Sequence, residues 1–236
     1  YRDTGDYATA AGLFAEFIRN YPHSPQLADA RLMLARSYAR SKRCPQAVGA
    51  YQDFYLEHPD HIGSLEARRE RADCLQQEGE HLRAAAAFEE VQHLYSASDF
   101  APQALLEAAR SYTAAQSLAE ATRVYRRLLK DYSSHPQAQS GRYRLALLRF
   151  AAGDGEGTQR LLTEISTRVP ASDQARDALL LSGRILLFLG RPDEARESFD
   201  RLDVAFPGSE HSDSARVDLA MYLYDRGFFG RAADAF

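Results

Sequence analysis

The sequence predicts an all-α fold: an α–α superhelix, that is, a solenoid of about 13 antiparallel helices built from 37-residue helix–turn–helix repeats. Three observations predict it. A short phrase returns every 37 residues without insertion or deletion, opening at Gly5, Lys42, Gly79, Gln116, Gly153, Gly190 and Gly227. Five residues on stand Ala10, Ala47, Ala84, Ala121, Thr158, Ala195 and Ala232, and four further on Phe14, Tyr51, Phe88, Tyr125, Leu162, Phe199 and Phe236. Within each period the apolar residues recur at helical spacing on one face. A strict period of this length means that each unit buries its apolar face against its neighbours, and such stacks make surfaces more often than active sites.

Residues 25–61 serve as the type unit. Ser24 and Pro25 open its first helix as an N-cap followed by proline in the first turn. Leu27, Ala30, Leu34, Ala35 and Tyr38 then fall at i, i+3, i+7, i+8 and i+11, a one-faced stripe. The mid-point of the repeat carries glycine in five of seven copies, which predicts a left-handed residue between the two helices. The second helix runs from about Pro45 to Glu57, with Ala47, Tyr51, Phe54 and Tyr55 on its apolar face. It stops at His58-Pro59, as its equivalents stop at Tyr21-Pro22, Val169-Pro170 and Phe206-Pro207.

Carried along the chain, the unit gives a partial repeat at 1–24, full repeats at 25–61, 62–98, 99–135, 136–172 and 173–209, and an incomplete repeat at 210–236. Ala35, Ala72, Ala109, Ala146, Gly183 and Ala220 in the first helices face the Ala10 series in the second, so the axes approach closely and the aromatics fill the layer beside them. Gly153-Asp154-Gly155-Glu156-Gly157, with Thr158 replacing alanine, predicts a loosened hairpin, a weak point or a bend. It is not read as a phosphate loop, which follows a strand. Tyr1 holds the phase of Tyr38, and Phe236 falls halfway through a second helix. A solenoid with no polar cap at either end is expected to be a segment of a longer protein. The flanks would carry any signal peptide, lipid anchor or further domain, and the uncapped ends make self-association possible.

Composition narrows the function. With 29 basic and 33 acidic residues the net charge is −4, which weighs against nucleic-acid binding. No window approaches the ~20 apolar residues of a membrane span. Glu57, His58, Asp60 and His61 are of zinc-ligand types. They lie in an inter-repeat link that also collects His23, His135 and His211 elsewhere, and are read as exposed polar loop residues. No metal or cofactor is expected. Arg68-Arg69-Glu70-Arg71 reads as a solvated mixed-charge face. Cys44 and Cys74 fall on antiparallel neighbouring helices; buried free thiols are the expectation, and a disulfide in an oxidising compartment the alternative. No cysteine or serine stands with a histidine base in a catalytic pattern, so no enzyme is expected.

A small residue at the Ala35 phase, an aromatic at the Tyr38 phase, glycine at the turn, then alanine, aromatic and proline: this order resembles the tetratricopeptide repeat, whose usual unit is about 34 residues. The resemblance covers nearly the whole chain. Where that consensus carries tryptophan stand Arg31, Arg68, Leu105, Arg142, Leu179 and Arg216. The links Phe17-Ile18-Arg19-Asn20-Tyr21-Pro22-His23-Ser24 and Phe54-Tyr55-Leu56-Glu57-His58-Pro59 are similar to the F-x-x-x-Y-P-x-S links of bacterial envelope repeat proteins. Those include the lipoprotein of the outer-membrane β-barrel assembly machine and the periplasmic coordinator of the Tol–Pal system.

The resemblance implies a concave groove lined by the first helices, through the phases of Asp29, Leu32, Arg36, Ala39 and Arg40. It further implies partner-binding residues at Arg36, Arg40, Arg69, Asp73 and Arg110 in a polar first half. In an apolar second half they are Tyr143, Leu147, Phe150, Arg184, Leu187, Phe188, Val217, Met221 and Tyr224. Helices there are apolar nearly all round, so Leu147, Phe150, Leu187 and Phe188 are either core or docking surface. The family's carboxylate clamp uses lysine and asparagine; the one asparagine, Asn20, lies on a second helix, so that subfunction is not expected. The functional expectation is a non-catalytic scaffold for a protein or peptide, periplasmic or outer-membrane-associated, with a cytoplasmic setting as the alternative. The competing reading is a regulatory or targeting region of a larger multidomain enzyme or cytoplasmic complex.

Overall fold

Proline-stopped second helices and left-handed turns divide the chain into hairpins, and the computed structural model describes them over residues 6–235. Tyr1, Gly5 and Phe236, on which part of the repeat reading rests, lie outside the described residues. The second helices are α1 (Tyr7–Asn20), α3 (Cys44–Glu57), α5 (His81–Leu94), α7 (Leu118–Asp131), α9 (Gly155–Arg168), α11 (Pro192–Ala205) and the short α13 (Phe229–Ala233). The first helices are α2 (Leu27–Arg40), α4 (Ser64–Gln77), α6 (Ala101–Ala114), α8 (Pro136–Ala151), α10 (Asp173–Phe188) and α12 (Glu210–Asp225). Among the described residues there is no strand.

Each hairpin turns on the residue that opens the repeated phrase. Gly79, Gly153, Gly190 and Gly227 take φ between +76° and +80°, and Lys42 and Gln116 enter the same left-handed region at +59° and +58°. Around Gly79 the turn is a Schellman motif: Gly79 N–H donates to the Gln76 carbonyl at 3.1 Å and Glu80 N–H to that of Leu75 at 2.9 Å. The glycine-rich hairpin keeps the same turn instead of loosening. Asp154 caps α9 by accepting from Gly157 N–H at 2.8 Å, Arg149 pairs with Asp154 at 3.1 Å, and the buried Thr158 hydroxyl donates to the Asp154 carbonyl at 2.7 Å.

The chain divides into two compact units, residues 1–128 and 129–236. In the first, Ala35, Ala72 and Ala109 are buried with Ala47, Ala84 and Ala121, and Tyr51, Phe88 and Tyr125 fill the space beside them. In the second, the Thr158 hydroxyl reaches the Ala146 carbonyl at 3.3 Å, across the interface of small residues. A Cβ on Gly183 would run into the Phe199 ring, so α10 and α11 meet where only glycine fits.

The first helices start differently in the two units. Ser24 is not the N-cap of α2: its hydroxyl takes the Gln26 N–H at 3.2 Å within a turn, and the helix begins two residues after Pro25. Gln26, Gly63 and Phe100 precede α2, α4 and α6 without any side-chain cap. His135, Ser172 and Ser209 precede α8, α10 and α12 in extended backbone, each accepting a first-turn N–H. Those three helices have 16 residues and their counterparts 14.

Arginine at the tryptophan position acts as a brace. Arg31 pairs with Glu57 at 2.8 Å, Arg68 with Glu90, and Arg142 with Glu164 at 3.1 Å, in each case the second helix of the same hairpin. Arg68 also lies 3.9 Å from the centre of the Tyr55 ring. Leu105 and Leu179, at the same phase, are buried.

Candidate functional site

The predicted groove phases leave the first helices on one side, and what stands there differs between the units. In residues 6–128 that face is ionic. Arg36 Nε donates to both Glu70 oxygens at 2.9 and 3.2 Å, and Glu70 also holds the Tyr51 hydroxyl. Burial, with Glu70 adding, pushes that hydroxyl far up; burial works against the Arg36 charge, but Glu70 outweighs it and raises the guanidinium. Arg69 stands 3.8 Å from Asp73, whose carboxyl burial raises, with Glu107 and Glu70 adding and Arg69 opposing. Arg110 pairs with Glu107 at 2.9 Å, and Arg40 lies 5.4 Å from the centre of the Tyr7 ring. A recess of about 240 Å³ opens among Arg36, Arg40, Tyr51, Glu70, Asp73 and Cys74.

In residues 129–235 the same phases of the first helices carry mostly apolar side chains. Phe188, 77% exposed, meets the Phe150 ring edge-on at 5.6 Å and so joins α10 to α8. Val217, Met221 and Tyr224 stand exposed on α12, Leu147 on α8, and Tyr143 is half-buried. Tyr224, 63% exposed, packs edge-on against Phe229 at 5.1 Å. The one ionic residue expected here, Arg184, is paired with Asp218 at 2.6 Å. That pair and Arg36–Glu70 occupy equivalent places four repeats apart.

The structure corrects Leu187. It is 6% exposed and belongs to the core formed with Leu219 and Leu223, because α12 covers that side of α10. Leu32, Leu106 and Leu180 at another lining phase are buried too. Of the arginines expected to bind a partner, Arg36, Arg110 and Arg184 are each already paired with a carboxylate. Phe229, packed on Tyr224, extends the apolar face, and Leu189 and Phe228 at the hairpin turns are also exposed; none of the three was expected. Phe228 was visible in principle, since its phase holds Arg43, Glu80, Ser117, Asp154 and Arg191 elsewhere.

The histidine-rich link resolves into separate local bonds. His61 Nδ1 accepts from Gly63 N–H at 3.0 Å while its Nε2 faces Asp29 at 3.3 Å, and the His58 carbonyl accepts the Ser64 hydroxyl at 2.8 Å. Among the described residues no three His, Cys, Asp or Glu side chains converge to hold a metal. No helix among them is long and apolar enough to cross a membrane. Cys44 and Cys74 are both buried as free thiols, with their sulfurs 2.8 Å apart.

A family model described as a tetratricopeptide repeat-like domain matches residues 64–218, and one described as a tetratricopeptide repeat matches residues 1–62. Among solved structures, a tetratricopeptide repeat protein from Parabacteroides merdae is 16% identical with a TM-score of 0.56, covering 99% of this chain and 85% of that one. MamA is 15% identical with a TM-score of 0.58, covering 75% of this chain and 90% of that one. YrrB, described as a repeat protein with an unusual peptide-binding site, is 18% identical with a TM-score of 0.55, covering 79% and 88%. At these identities the likeness is one of fold. No curated protein matches the sequence.

Proposed function

The chain belongs to the tetratricopeptide repeat family, whose repeats generally mediate protein–protein interaction, and on that premise we propose that it is a non-catalytic scaffold holding a protein or peptide partner. The partner docks on the first-helix face of residues 143–224. One observation carries this reading: Leu147, Phe188, Val217, Met221 and Tyr224 stand exposed on three successive first helices that already bury a full core behind them. Apolar side chains left out of a completed core cost solubility, and a docking surface is the ordinary reason for them. Tyr143 and Phe150 flank the row. Arg184, paired with Asp218, supplies the charged group within this face.

Peptide display against the purified chain tests this. Enriched sequences are expected to carry aromatic or aliphatic anchors, and a Phe150→Ala, Phe188→Ala, Tyr224→Ala triple variant should lose binding at least ten-fold with its helicity unchanged. Retained binding would move the site elsewhere.

The proposal includes a bacterial envelope setting, periplasmic or outer-membrane-associated, and what supports it is the link Phe17-Ile18-Arg19-Asn20-Tyr21-Pro22-His23-Ser24. Fractionation of a tagged full-length protein decides this part; recovery in the cytoplasm would remove it while leaving the docking face untouched.

A further inference from the structure

Cys44 opens α3, and Cys74 lies one turn before the end of α4. The two helices belong to consecutive repeats and run antiparallel, which is why residues 30 apart in sequence place their sulfur atoms 2.8 Å apart. A covalent S–S bond is about 2.05 Å long, so less than an ångström of approach separates the two sulfurs from bonding distance. These are the only cysteines in the sequence, so within the chain there is no wrong pairing to compete. Both are buried, with the Gln77 side-chain oxygen 3.6 Å from Cys44 Sγ. Among the described residues no third ligand joins them to make a metal site.

We propose that Cys44 and Cys74 form an intramolecular disulfide that staples the repeat at 25–61 to the repeat at 62–98. The oxidant is a thiol–disulfide exchange partner, R–S–S–R. One cysteine thiolate attacks it and releases RS⁻, leaving a mixed disulfide. The second thiolate attacks the cysteine sulfur of that intermediate and releases a second RS⁻. The two protons lost by the cysteines end on the two leaving thiolates, so two CysSH and RSSR become one cystine and two RSH.

Burial orders these events. It pushes the Cys74 thiol far up, with Cys44 adding, so the docked core holds little thiolate and admits no bulky oxidant. Exchange therefore runs while α3 and α4 are still undocked, and docking then shields the bond from reductants. The staple also reaches the ionic face of the first unit. Cys74 follows Asp73 and lines the recess that contains Arg36 and Arg40, so the bond ties together α3 and α4, which both line that recess.

The test is refolding of the reduced, denatured chain in buffer containing oxidised glutathione, followed by alkylation in denaturant and intact-mass analysis. The expected end product is two hydrogens lighter than the reduced chain and takes no alkyl group. It should melt roughly 5–10 °C above the same chain reduced in denaturant and refolded in dithiothreitol. Cys44→Ala and Cys74→Ala should melt at the same temperature with and without dithiothreitol. Because a buried alanine can itself lower stability, the oxidised and reduced wild-type proteins alone are sufficient for the comparison. Two alkylated thiols in the refolded chain, or glutathione retained on it, would overturn the disulfide. An oxidised chain that melts no higher than the reduced one would overturn the staple.

Discussion

The two compact units repeat one hairpin and finish it by different means. Residues 6–128 turn on Lys42, Gly79 and Gln116, start their first helices without side-chain caps, and present an ionic face. Residues 129–235 turn on glycine each time, start from His135, Ser172 and Ser209 caps, and present an apolar face. A cap contributes about 1 kcal/mol, and a non-glycine residue at positive φ costs about as much. The second unit therefore draws more stability from its backbone. It leaves Phe188 and Tyr224 exposed at phases where the first unit carries Arg40, Gln77 and Ala114, and Ala39, Gln76 and Thr113.

Four sets of changes would break or sharpen that contrast. The largest effect is expected where packing is tightest. Gly183→Ala should cost roughly 2–3 kcal/mol, since the new methyl meets the Phe199 ring, while Ala35 carries that methyl freely at the same phase; Ala84→Leu and Ala121→Leu in the first unit should cost roughly 1–3 kcal/mol. Denaturant titration reads all three, and an unchanged midpoint for the alanine or leucine variants would undo the small-on-small pairing. Next come the caps. Ser172→Ala and Ser209→Ala should each lose about 1 kcal/mol, whereas Gln26→Ala should stay within about 0.5 kcal/mol. Equal losses at all three positions would erase the distinction between capped and uncapped units.

Turn residues should show the opposite sign. Lys42→Gly and Gln116→Gly relieve a left-handed strain and should each gain up to about 1 kcal/mol, while Gly190→Ala should lose a similar amount. Calorimetry on the single variants reads this. The smallest effect is electrostatic. Burial raises the Asp73 carboxyl above its usual 3.8, so the folded chain binds that proton more tightly than the unfolded chain does. Its contribution to stability is greatest at low pH and is lost as pH climbs from 3.8 through the raised value. Stability measured across that range should fall more steeply for wild type than for Asp73→Asn, and parallel curves would remove Asp73 as the cause.

The hairpins were legible because their determinants are local and repeated. Turn glycines, small residues and stop prolines recur at fixed phase, and every second helix from α1 to α13 begins where the period places it. What escaped was set by the next element along. Ser24-Pro25 looks like a helix start, yet the chain spends Ser24 on a turn and begins α2 at Leu27. Leu187 lies at a predicted groove phase of α10, but Leu219 and Leu223 of α12 share its core cluster and it is buried. Arg36 and Arg184 read as free charges because their carboxylates, Glu70 and Asp218, lie 34 residues away. Phase arithmetic fixes the direction in which a side chain departs; only packing fixes what it meets.

Arginine in the place of tryptophan has an optical consequence. The chain holds 13 tyrosines and no tryptophan, so light that excites indole alone finds nothing in it to emit. Any such emission from a mixture belongs to the bound partner. A tryptophan-bearing peptide seated beside Phe188 and Tyr224 would report its own capture, without a dye and against a dark host.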